Sequence, residues 1–68
     1  MIKNKYHIII NFSNEIHNEY TYAVSKSNAL NNAITKVANN LKVIKSKIRN
    51  HVYNGLDNHK VILLQKGE

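Results

Sequence analysis

Residues 43–53, Val-Ile-Lys-Ser-Lys-Ile-Arg-Asn-His-Val-Tyr, hold the side chains with the clearest chemistry in this chain. With a period of two, Lys45, Lys47, Arg49, His51 and Tyr53 fall on one side. Ile44, Ile48 and Val52 fall on the other, with Ser46 and Asn50 between them. As a strand, this segment presses an apolar face on a core and shows solvent a row of cations ending in an aromatic. Such a row attracts polyanions, either nucleic acid or the acidic surface of another protein. Alternate residues on a strand stand roughly 7 Å apart, close to the spacing of successive phosphates along a nucleic-acid strand. Lys5 and Lys42 extend the track. With a single arginine in the chain, readout of base edges is not expected, and binding to nucleic acid would be largely non-specific. The competing reading of the same lysines is a solvated strand face that discourages aggregation.

A second feature is the apolar run Val61-Ile62-Leu63-Leu64. It reads either as a central strand buried on both faces or as an exposed apolar patch. An exposed patch would serve a homodimer or dock on a target by sheet pairing.

Catalytic constellations are missing from the sequence. No Ser-His-Asp or Cys-His set, glycine-rich phosphate loop or paired carboxylate site is present, so the chain is not read as an enzyme. His7, His17, His51 and His59 match no zinc-ligand spacing, and cysteine is absent, so neither a metal nor a cofactor is expected. Tyr6, Tyr20 and Tyr22 are expected to pack under a helix, which leaves Tyr53 as the one tyrosine on the basic face. Without an RNP-type run of aromatics, an RRM is disfavoured.

The elements that must position these residues follow from periodicity. Residues 5–12 and 16–24 both alternate and are joined by the turn-rich Ser13-Asn14-Glu15, which predicts a hairpin. Matching their apolar faces places Phe12 opposite Ile16, Ile8 opposite Tyr20 and Tyr6 opposite Tyr22. Residues 27–41 predict a helix capped by Ser25 or Ser27, with Leu30, Ala33, Ile34, Val37, Ala38 and Leu41 as its apolar stripe. The strand over 43–53 and the turn cluster Asn54-Gly55-Leu56-Asp57-Asn58 come next, then the last strand at 61–64.

The expected fold is α+β, an antiparallel sheet of about four strands with one helix packed on one face, in the order β-β-α-β-β. The opposite face would carry Lys5, His7, His17, Lys45, Lys47, Arg49 and His51. An alternative is a β-hairpin, one long helix over 27–53 and a final strand. Leu30, Ile34, Val37, Leu41, Ile44 and Ile48 keep helical spacing, and Asn54-Gly55 could end such a helix.

Length and charge bound the rest. Sixty-eight residues predict a single small basic domain over 1–68, with so modest a core that a dimer or a permanent partner is expected. The net charge of +6 bears on partners rather than on fold. Ile8-Ile9-Ile10 is too short to span a membrane and no signal-peptide stretch opens the chain, so a cytoplasmic location is expected. The abundance of Asn, Lys and Ile implies A/T-rich coding DNA, which fits low-GC bacteria, their phages and plasmids, or some archaeal viruses.

The layout over residues 6–49 is loosely similar to the archaeal ribosomal protein LX, and to many small phage- and plasmid-encoded proteins. Where the LX family has a Gly-Ser-Lys-His-type stretch after its helix, this chain reads Asn39-Asn40-Leu41-Lys42, and no site residue is carried over. The expectation is a non-enzymatic module that contacts nucleic-acid phosphates through Lys5, Lys42, Lys45, Lys47, Arg49, His51 and Tyr53. The alternative is a mobile-element inhibitor or adaptor of anti-CRISPR or host-takeover type. It would bind a host or defence protein in the host cytoplasm, with Val61, Ile62, Leu63 and Leu64 as its interface. A third class is an assembly component of a phage particle or ribonucleoprotein.

Overall fold

The computed structural model describes residues 2–55 and 58–67. Leu56 and Asp57, from the expected turn cluster, lie outside the described residues. The elements run β1 (Asn4–Phe12), β2 (Glu15–Ala23), α1 (Lys26–Leu41), α2 (Lys45–Asn54) and β3 (His59–Gln65). The α+β class is as expected, but among the described residues the sheet has three antiparallel strands and the helices number two.

The isoleucine-rich β1 is the central strand, in the order β2-β1-β3. Because β2 and β3 both run antiparallel to β1, they share a direction, and the chain between them must cross the sheet. The two helices make that crossover over one face. Tyr6, Ile8 and Ile10 of β1 point into the core they cover, with Ala23 of β2. From α1 come Ala29, Leu30, Ala33, Ile34, Val37 and Ala38, and from α2 Ile48 and Val52.

The helix expected over 27–41 forms with its apolar stripe inward. Ser25 is the cap, its Oγ accepting from the Asn28 N–H at 3.2 Å. The polar flank of α1 also binds the sheet. Lys36 Nζ donates to the Tyr20 carbonyl at 2.9 Å, and Asn32 Nδ2 donates to Thr21 Oγ1 at 3.3 Å.

α1 ends at a Schellman turn. Lys42 takes the left-handed conformation (φ 57°, ψ 41°), its N–H reaches the Asn39 carbonyl, and the Val43 N–H reaches that of Ala38 at 3.0 Å. This turn breaks the single helix over 27–53 into two.

The strand expected over 43–53 is a correction, since Lys45–Asn54 is helical. Ile44, Ile48 and Val52 recur every four residues, a spacing that fits both periods. The intervening Ser46 and Asn50 decide the matter. A strand would bury them beside the isoleucines, whereas a helix turns them outward, where both are exposed.

The hairpin forms, but shifted by one residue from the expected pairing. Its loop is the two residues Ser13 and Asn14, with φ of 55° and 61°. Two successive positive φ values define a type I′ turn, whose twist suits two-residue hairpins. Phe12 therefore faces Glu15, and the ladder continues with Ile8 opposite Glu19, His7 opposite Tyr20 and Lys5 opposite Tyr22. A one-residue shift exchanges the faces of a strand. His17, Glu19, Thr21 and Ala23 thus lie on the covered side, and Ile16, Tyr20 and Tyr22 are exposed on the open side.

Candidate functional site: the open face of the sheet

With both helices on one side, no described element covers the other side of the sheet. Alternation along β1 sends Lys5, His7, Ile9 and Asn11 there. β2 contributes Ile16, Asn18, Tyr20 and Tyr22, and β3 contributes Lys60 and Ile62. The relative exposures of Tyr20 (54%) and Tyr22 (59%) are large for aromatic side chains, so their rings are available to a ligand.

Cross-strand contacts order this face. The His7 and Tyr20 rings are stacked, with centroids 4.5 Å apart and planes 9° from parallel. His7 Nε2–H donates to Asn18 Oδ1 at 2.9 Å, which holds the imidazole upright against the phenol. Beside this pair, Lys5 Nζ lies 6.0 Å from the centroid of the Tyr22 ring, at the outer range of a cation–π contact.

Two hollows flank the aromatic centre. Near the hairpin end, Ile9, Asn11, Ile16, Asn58, His59 and Lys60 line a pocket of about 450 Å³. At the opposite end, Lys3, Lys5, Tyr22, Gln65, Lys66 and Gly67 line one of about 370 Å³.

The basic row expected on a strand at 43–53 is dispersed. On α2, Lys45, Arg49 and Tyr53 recur at i, i+4 and i+8 and share one flank, while Lys47 lies on the other. All four are exposed. Lys42 sits at the corner between the helices. Lys5 is on the opposite side of the sheet from α2, so it cannot extend a track from there. His51 is half-buried and structural. Its Nε2–H donates to the Asn11 carbonyl at 2.7 Å, and its ring meets Phe12 edge-on at 5.0 Å.

His17 also departs from expectation, since it lies on the covered side. Its buried Nε2 has no hydrogen-bond partner among the described residues and stands 3.8 Å from Glu15 Oε2. Among the described residues, no three His, Asp or Glu side chains come close enough to hold a metal.

The run Val61-Ile62-Leu63-Leu64 is on an edge strand, not in the centre of the sheet. Val61 and Ile62 are half-buried and Leu63 and Leu64 about half exposed. The pairing of β1 with β3 shifts between Lys5 and Tyr6, which pair with Gln65 and Leu63, so Leu64 bulges out of the ladder. No described helix is long and apolar enough to cross a membrane.

The residues that periodicity missed are Tyr20, Tyr22, Lys3 and Lys66. For the tyrosines, the missed signal is Asn14, a residue type that tolerates the positive φ of a two-residue turn. Compared with known proteins, the chain matches no family model, no curated protein and no solved structure. The fold and site together define a small α+β protein with a one-sided, aromatic and basic sheet.

Proposed function

We propose that this chain binds single-stranded nucleic acid on the open face of its sheet, with little sequence preference. The observation that carries the reading is the pair of exposed rings Tyr20 and Tyr22, two residues apart on one strand face and each set beside a β1 partner. Side chains so placed are roughly 7 Å apart, a separation that successive bases of an extended strand can match. Every base offers a π-face, so stacking tolerates sequence. Lys3, Lys5, Lys60 and Lys66 surround the rings with charge for the phosphates. The phosphate contacts expected from the sequence remain in this proposal, but their place moves from residues 43–53 to the sheet.

The test is fluorescence anisotropy of labelled single- and double-stranded oligonucleotides at several salt concentrations. Preference for the single strand, a log–log salt slope of several ions and loss of binding in Tyr20→Ala/Tyr22→Ala are the expected results. Equal binding by that double variant would overturn the proposal.

A second reading, a protein-directed inhibitor or adaptor, draws on the exposed Leu63 and Leu64 of edge strand β3. An acidic target could add a strand there. It requires that recovery of a protein partner survive nuclease treatment and be lost in Leu63→Lys/Leu64→Lys.

A further inference from the structure

The pocket at the end of the open face beyond Tyr22 is built from both ends of the described chain. Lys3 and Lys5 come from the start, and Gln65, Lys66 and Gly67 from the finish. What brings them together is specific. The Gly67 N–H donates to Asn4 Oδ1 at 2.6 Å, and Asn4 Nδ2 in turn donates to the hydroxyl of the buried Tyr6 at 3.2 Å. At 67 the backbone lies so close to Lys3 that a Cβ there would collide with the Lys3 carbonyl and with Ile2. Glycine is therefore the residue that lets the tail lie down across the beginning of β1. Its φ is not positive, so close approach and not backbone conformation is the requirement.

Three lysines thus line one hollow together with Tyr22, and no acid among the described residues lines it. Glu15 and Glu19 lie toward the hairpin end of β2, away from Tyr22. A phosphodiester brings one negative charge, whereas a phosphomonoester brings close to two and three strong acceptor oxygens, the better match for three lysines.

We propose that the Lys3–Lys5–Lys66 pocket holds the terminal phosphomonoester of a nucleic-acid strand, with the terminal base stacked on Tyr22. The proposal rests on the strand-binding reading above for the path of the strand. It assigns the pocket the task of setting where the strand begins.

The full chain is titrated with one short single-stranded sequence in three forms, 5′-phosphorylated, 3′-phosphorylated and unphosphorylated. One phosphorylated form is expected to bind about tenfold tighter than the unphosphorylated strand at equal salt. Lys3→Gln/Lys66→Gln should remove that preference, so that within this variant the phosphorylated and unphosphorylated strands bind with equal affinity, whatever the loss both share from the two missing charges. Gly67→Ala keeps every charge but drives the tail off Lys3, and it should lose the same preference. Equal affinity for all three forms overturns the pocket assignment and leaves the strand reading intact. If no form binds, the strand reading falls, and the pocket is judged by amide chemical shifts on adding inorganic phosphate or a nucleoside monophosphate. Shifts confined to Lys3, Lys5, Tyr22, Lys66 and Gly67 then support a free phosphomonoester as its ligand, and their absence overturns the site.

Discussion

The imidazole of His7 lies flat against the phenol of Tyr20, 4.5 Å between centroids, and is itself tethered by Asn18. One face of Tyr20 is therefore occupied and its orientation is held before any ligand arrives. Tyr20→Ala should weaken single-strand binding by about 1–3 kcal/mol. His7→Ala should weaken it less, since His7 positions the ring without being the platform. Because Tyr20 is more than half exposed, thermal unfolding of both variants should stay close to that of the parent. Anisotropy and calorimetry on the same samples check both statements.

α2 gives a prediction that separates helix from strand. As a strand, Ile44, Ile48 and Val52 would count equally. In the structure Ile48 and Val52 are fully buried, while Ile44 is 75% exposed. Ile48→Ala should cost about 2–4 kcal/mol, and Val52→Ala somewhat less. Ile44→Ala should remain within about 0.5 kcal/mol of the parent. Urea denaturation midpoints at constant m-value give the comparison.

Lys42 adopts a left-handed conformation that costs a residue with a Cβ. Lys42→Gly should stabilise the protein by about 0.5–1 kcal/mol, the relief being partly offset by the freedom glycine gains in the unfolded chain. A rise in the urea midpoint is the expected observation. No change would mean that Lys42 bears no strain at this corner.

The Ser13-Asn14 loop allows the same treatment at the hairpin. Ser13→Asn with Asn14→Gly installs the pair that type I′ turns favour, and should add about 1 kcal/mol. Cross-strand NOEs between the rings of His7 and Tyr20 should persist, since the loop length is unchanged.

How far the chain could be read in advance varied with how ambiguous each period was. β1 and α1 were legible because each has one apolar face. Tyr6, Ile8 and Ile10 alternate, and Leu30, Ala33, Ile34, Val37 and Ala38 follow a helical stripe. β2 was not, because Ile16, Tyr20 and Tyr22 make as plausible a buried face as Thr21 and Ala23. Residue hydrophobicity favoured the wrong side, and the two-residue turn overruled it. Residues 43–53 misled because a spacing of four divides by two and also nearly matches a helical turn. The apolar run of β3 suggested a central strand, but β1 lies between the other two strands and β3 stays on the edge. The candidate site was legible only in part. The charge of Lys5 marks it in the sequence, but the hydrophobicity of the tyrosines beside it points to the core. Lys3 and Lys66 meet only through a fold-back at Gly67 that no local pattern announces.

The two-residue loop of Ser13 and Asn14 also settles which face of β2 meets the helices. Had the same letters closed through three loop residues, with Phe12 facing Ile16, Tyr20 and Tyr22 would lie under the helices and His17 and Glu19 would turn outward. The interior would gain two large rings and the exterior would lose its stacking surface. Counted by hydrophobicity alone, that transposed protein resembles a better-buried one. What this chain displays to its surroundings is thus decided by which residue of β2 closes the turn against Phe12.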